Sequence, residues 1–317
     1  VAAIAGVPLS TVGEGRFSDL SDQCPETLGG AVVRHLVQGI AYQDPFTAEQ
    51  IDVRAAVRLC AFWRDLIDSN RDISAALGFA FWKRPTVAPL LWAGGEVPFA
   101  SDLKRVPRGP VAVWKSHTPD QVLEALGRDA VKLIEVEDGF IRSMGLGADC
   151  VPPLSIVVDR LGVHFDATQP SDLEELLENG TFCDEVLDRA RDLRQIIVCS
   201  GVSKYGSGSA KLPRRVADRR HVLVLGQVED DRAVLNGGSP FIGNMDLLKR
   251  ARSDAPDAYI IYKPHPDVEA GHRIGRIPER DCLEVADEVV RDQPISALID
   301  LVDEVHVNTS LAGFEAL

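Results

Sequence analysis

Cysteine is sparse and scattered. Cys24, Cys60, Cys150, Cys183, Cys199 and Cys282 form no CxxC pair and no Cys/His cluster. That excludes the usual structural zinc sites and a disulfide framework, and fits reduced thiols in a cytosolic protein. Long apolar runs are missing as well. None approaches the ~20 residues a membrane-spanning helix needs, so any membrane contact is expected to be peripheral. Basic residues are outnumbered, 34 against 48 acidic ones, for a formal net charge of −14. Nucleic-acid binders usually carry the opposite bias, because phosphate neutralisation supplies most of their affinity; no nucleic-acid partner is expected. Residues 1–8 lack the basic and apolar regions of a secretory signal. There is no initiator Met, and the last residues fall inside a helical pattern. A fragment of something longer, C-terminally incomplete, is the expectation.

What is there is a soluble globular composition, 45% hydrophobic and 26% charged, in 317 residues. That is about two domains' worth of chain. Residues 1–70 read as a mostly helical segment, with a short strand over 7–12 and apolar helical spacing over 26–40 and 47–67. Over 78–110, Trp82, Pro85, Pro89, Trp92, Gly94, Gly95, Pro98, Pro107 and Pro110 break any long element, giving a connector with short strands. Strands are then expected at 111–114, 131–136 and 154–158, with helices at 119–126, 171–179 and 183–198. Ser171 and Glu174 form a capping-box signature. A second series follows the basic stretch 211–220: strands at 221–225, 258–262 and 304–307, helices at 244–253, 294–302 and 311–317. Strands alternating with helices predict parallel α/β sheets. The expected division is 1–70, a Rossmann-like domain over 71–215 and a second over 216–317. Ligands in such folds sit beyond the carboxyl ends of strands.

The strand ends carry the chemistry. After Val136 stand Glu137-Asp138-Gly139, two crowded carboxylates that suit a nucleophile or a base, although acid-acid-Gly is also ordinary turn chemistry. After Tyr262 come Lys263-Pro264-His265-Pro266, a cation and an imidazole on a restricted loop, suited to a phosphate or to protonating a leaving oxygen. A rigid turn with His265 bonded to backbone reads equally well. Asn308-Thr309-Ser310 follows the strand ending at Val307 and can cap a helix or attract an anion. Gly226-Gln227-Val228-Glu229-Asp230-Asp231 follows Leu225 and suits ribose hydroxyls, an amine or a metal, or is merely an acidic loop. Lys204, in Ser-Gly-Val-Ser-Lys-Tyr-Gly, is a candidate for a substrate carboxylate. The glycines near it are not a dinucleotide fingerprint.

Together, four segments resemble the capsule polysaccharide synthesis family, the KpsC-type β-Kdo transferases. They are Glu137 to Gly147 (EDGFIRSMGLG), Gly226 to Asp231 (GQVEDD), Tyr262 to Asp267 (YKPHPD) and Thr309 to Leu317 (TSLAGFEAL). The resemblance runs from about Gly78 to the end, as a second transferase module, with 1–70 as the tail of a preceding one. It implies a GT-B-like fold, two Rossmann-type domains facing a cleft, with strand 7–12 a candidate to complete the second sheet. It implies transfer of Kdo from CMP-Kdo to a lipid-linked Kdo acceptor with retention of the β configuration, and no cofactor or metal. Asp138 would attack the anomeric carbon, Glu137 would orient it or move a proton, and Lys263, His265, Thr309 and Ser310 would hold the CMP phosphate. His265 would help the nucleotide leave. Arg142, Lys204, Gln227 and Glu229 are the sugar-binding candidates. The implied place is the cytoplasm or the inner face of the cytoplasmic membrane, in contact with capsule export machinery. The competing readings are an inverting sialyltransferase-like enzyme with Asp138 as base, an inactive CMP-binding or assembly module, and a UDP-sugar epimerase.

Overall fold

The structure is a computed structural model that describes residues 30, 33–38, 40–102, 108–141, 150–201, 215–216, 218–237 and 243–317. The chain divides into two compact units between Asn70 and Arg71. The expected strand at 7–12 lies outside the described residues.

In the first unit, β1 (Tyr42–Gln43) and β2 (Gln50–Ile51) form an antiparallel hairpin ahead of the helix Val53–Asn70. A helix from 47 was expected. Asp44 instead accepts the amides of Phe46 and Thr47 and closes a turn. Asp52 Oδ1 then accepts from Ala55 N at 2.7 Å and starts the helix six residues later than the apolar spacing indicated.

The second unit holds two sheets. The first has the order β4-β3-β5-β6-β7, built from β3 (Ala75–Leu77), β4 (Phe99–Ala100), β5 (Val111–Trp114), β6 (Leu133–Asp138) and β7 (Ile156–Asp159). The second has the order β10-β9-β8-β11, from β8 (His221–Leu225), β9 (Tyr259–Lys263), β10 (Glu288–Val289) and β11 (Glu304–His306). The second sheet is parallel throughout. Its β8 residues are all buried, as expected of a strand covered on both faces.

Two expectations need correction in the first sheet. β7 runs antiparallel to β6, because the chain returns directly across its edge with Asp138 opposite Ile156. And β6 runs through Asp138, so the acidic pair lies within the strand. Lys263 likewise closes β9 rather than opening the loop after it. The helix Asp172–Asn179 carries the expected capping box, with Ser171 accepting from Glu174 N and the Glu174 carboxylate accepting from Ser171 N.

The two cores are separate. Phe79, Trp114, Ile134 and Val136 pack on one face of the first sheet, and Val222, Leu248, Ile260 and Tyr262 on one face of the second. The basic stretch is built into the second sheet at the start of its strands. Arg215 pairs with Asp303 at 2.6 Å, Arg219 with Asp287 at 3.1 Å, and Arg220 with Glu304. These arginines therefore staple strand beginnings; Lys211 and Arg214 lie outside the described residues. Among the described residues, no helix is long and apolar enough to cross a membrane.

Candidate active site

Strand alternation sorts the acids of β6. Leu133, Glu135 and Glu137 leave one face, and Ile134, Val136 and Asp138 the other. Asp138 thus shares the face on which Trp114 packs, since Trp114 is in register with Val136. Its Oδ1 lies 3.1 Å from Lys83 Nζ. Lys83 comes from the segment after β3, its side chain is 4% exposed, and its ammonium stands 3.5 Å from the centroid of the Trp114 ring. Gly78, at φ +82°, makes that segment's exit from β3 feasible: a Cβ there would lie 2.2 Å from Thr118 Oγ1.

Glu137, on the opposite face, accepts hydrogen bonds from Ser116 N and, at 3.0 Å, from Ser116 Oγ. Trp114 Nε1 donates to the same hydroxyl at 3.1 Å. One buried indole therefore supports both carboxylates, Asp138 through Lys83 on its π face and Glu137 through Ser116 at its edge. Burial pushes the Glu137 carboxyl up to about 7; the Ser116 hydrogen bonds resist that rise and the neighbouring Asp138 adds to it. His117 follows Ser116. Burial and then the Lys83 charge hold its ring below the usual imidazole range, with Arg232 and Arg273 adding to the effect and Asp138 opposing it. Lower in β6, Glu135 is neutralised by Lys115 at 2.5 Å and accepts from Val163 N at 2.9 Å.

In the second sheet the strand order reverses between β8 and β11, where a parallel sheet opens a ligand crevice. Gln227 spans that point. Its Oε1 accepts from Asn308 N at 2.7 Å and Thr309 N at 3.0 Å, and its Nε2 donates to Thr309 Oγ1 at 3.0 Å. Asn244 fixes Gln227 in turn, accepting from its backbone N–H at 2.8 Å and donating to its carbonyl. Glu229 accepts from Asn244 N at 2.7 Å, so it braces the loop. Ser310 Oγ accepts from Ala312 N at 3.2 Å. His265 caps the short helix Pro266–Glu269, its Nδ1 accepting from Asp267 N at 3.2 Å, which leaves the ring proton on Nε2. Lys263 is buried and donates to the Arg291 carbonyl at 2.6 Å; burial holds its ammonium below the usual lysine range. It ties β9 to the 291 segment. Arg142 and Lys204 lie outside the described residues.

The two sheets meet at these ends. Phe140, two residues past Asp138, packs on Phe314 with ring centroids 4.7 Å apart. Arg232 reaches Lys115 O and Asp120 Oδ1, each at 3.3 Å. A depression elsewhere, lined by Pro170, Ser171, Leu177, Glu174, Glu175 and Glu178, is too acidic to suit an anionic ligand. Among the described residues no group of three His, Cys, Asp or Glu side chains could hold a metal ion.

Lys83, Ser116 and His117 were not singled out from the sequence. Ser116 and His117 stand just beyond β5, so the strand-end rule that selected the other loops also applies to them. Nothing local marks Lys83.

Two Rossmann-type sheets meeting at their carboxyl ends define a GT-B-like architecture. Residues 111–317 match the family model described as "Capsule polysaccharide biosynthesis protein". The capsule polysaccharide modification protein LipA of Neisseria meningitidis serogroup A is 33% identical over 339 residues, an alignment covering all of this chain and 48% of LipA. The lipopolysaccharide-processing protein LpsZ of Rhizobium meliloti is 41% identical over 198 residues, 60% of this chain and 44% of LpsZ. Among solved structures, the KpsC beta Kdo 2,4 transferase of Thermosulfurimonas dismutans superimposes with a TM-score of 0.63 at 27% identity, over 77% of this chain and 76% of that one. The beta Kdo 2,7 transferase of the same KpsC gives 0.57 at 30% identity, over 77% and 75%. The chain belongs to the capsule polysaccharide biosynthesis family. It spans about half the length of the curated relatives it matches.

Proposed function

We propose that this chain is a glycosyltransferase module that moves Kdo from CMP-Kdo to a lipid-linked Kdo acceptor, retaining the β configuration. The observation that carries the reading is the division of charge between the two sheets: a paired carboxylate at the end of β6, and imidazole, hydroxyl and amide groups in the loops after β9 and β11. A carboxylate opposes an oxocarbenium-like centre, while donors stabilise a departing phosphate. Asp138 attacks the anomeric carbon as the bond to the CMP phosphate breaks and its electron pair leaves with CMP. The acceptor oxygen then displaces Asp138, whose carboxylate is restored. Glu137, poised near neutrality, takes the acceptor's proton by way of the Ser116 hydroxyl. His265 donates from Nε2 to the leaving phosphate beside Thr309 and Ser310, and Gln227 keeps that loop in register. Glu229 acts on the sugar through the loop it braces. Lys263 secures β9 beneath His265.

The test is CMP release and product NMR with CMP-Kdo and a Kdo-bearing lipid acceptor. A β product whose formation is lost in Asp138→Ala supports the reading. An inverted product would make Asp138 a base. A folded chain that binds CMP without turnover would make this a binding or assembly module, the role left to it if the site serves the whole protein only by holding nucleotide.

A further inference from the structure

We propose that Lys83 is a positioning residue that holds Asp138 as an aimed anion and drives its departure from the covalent Kdo intermediate; this rests on the transferase reading above. The argument begins with a cost. An ammonium whose side chain is 4% exposed is expensive to bury. Here two features offset it, the Trp114 π face at 3.5 Å and Asp138 Oδ1 at 3.1 Å. Lys263, at the end of β9, is likewise buried but is spent on a backbone carbonyl. Lys83 instead meets the carboxylate that the mechanism requires to form and break a bond.

The pair has unequal consequences for the two half-reactions. In the resting enzyme the ammonium aims the carboxylate and favours its charged form. When an Asp138 oxygen bonds to the anomeric carbon and the carbon–phosphate oxygen bond breaks, the carboxylate becomes an ester and loses its charge. Lys83 then faces a neutral group from within a buried position, so the ester state is raised in energy. When the acceptor oxygen bonds to the same carbon, the electron pair of the ester bond returns to Asp138 and the ion pair re-forms. The proton of the acceptor hydroxyl passes to Glu137. Lys83 thereby speeds the second displacement and keeps the intermediate from accumulating.

Other charges bear on Asp138 as well. Glu137 is adjacent on β6, His117 lies on the turn after β5, and Arg232 and Arg273 reach toward His117 from the second sheet. Lys83 Nζ is the charge 3.1 Å from Asp138 Oδ1, and Lys83→Met removes that charge while leaving the others in place.

The experiment compares the full chain with Lys83→Met and Lys83→Arg, using CMP-Kdo and the acceptor. Lys83→Met should lower turnover by about 10²-fold. It should also release a burst of CMP, show one Kdo of added mass on intact protein, and move the acid limb of the rate profile to higher pH. Lys83→Arg, which keeps the charge, should restore the limb and suppress the adduct. Matched melting curves exclude misfolding as the cause. Turnover by wild type together with an unshifted limb and no adduct in Lys83→Met would overturn this proposal alone. No CMP release by wild type would overturn the transferase reading beneath it.

Discussion

Glu137→Gln tests the electrostatics of β6 through stability, independently of catalysis. The Glu137 carboxyl sits at about 7 in the folded protein against an ordinary 4.5. Because the folded carboxyl holds its proton more tightly than the unfolded one, the folded state binds more protons between those two values. Stability therefore falls as pH rises through that window and levels off above about 7. The interval corresponds to about 3 kcal/mol, since each tenfold change is worth ~1.4 kcal/mol. Gln keeps the shape: its carbonyl can accept from Ser116 N and its amide can donate to Ser116 Oγ. The variant should accordingly lie close to wild type at pH 5 and gain on it by pH 8, the difference between the two growing by up to about 3 kcal/mol. Urea melts of both proteins at pH 5, 6, 7 and 8 measure it. Parallel curves across the range would refute the claim that burial makes the folded carboxyl hold its proton more tightly than the unfolded one.

Gly139→Ala should weaken catalysis by moving the strand end. A Cβ there would lie 2.3 Å from Ser155 Oγ and 2.9 Å from the Ser155 backbone carbon. A shift of β6 against β7 costs about 1–3 kcal/mol, and thermal melting with steady-state rates should show both losses; an unchanged rate would sink the idea. Gln227→Ala strips acceptors from Asn308 N and Thr309 N. It should raise the KM for CMP-Kdo about tenfold, at ~1.4 kcal/mol of lost ordering, with kcat changed much less. An equal fall in kcat would place Gln227 in the chemistry instead.

Most of the architecture was legible because periodicity records burial. The strand at 221–225 matches its apolar run, and the helices at 171–179 and 244–253 are nearly coincident with those observed, since caps and apolar spacing agree there. What periodicity does not record is direction. The run at 154–158 has the composition of a parallel strand, yet a short return from β6 makes it antiparallel. Nor does periodicity record strand ends where polar residues prolong a strand: Glu137, Asp138 and Lys263 all pair within sheets because side-chain partners compensate their burial. For the site, motifs pointed to Asp138, Gln227, His265 and Thr309, whose neighbours in sequence carry the signal. Lys83 carries none. Its meaning comes from a contact with Asp138 across 55 residues, formed only once β3, β5 and β6 are side by side.

The central claim is that the β6 carboxylate and the loops after β9 and β11 serve one ligand. A crystal structure of the chain with CMP tests it most directly. The account predicts the phosphate within hydrogen-bonding distance of His265 Nε2 and the Thr309-Ser310 segment, with Asp138 facing the space where the sugar would extend. CMP bound away from those loops, or with its phosphate directed away from Asp138, would contradict it.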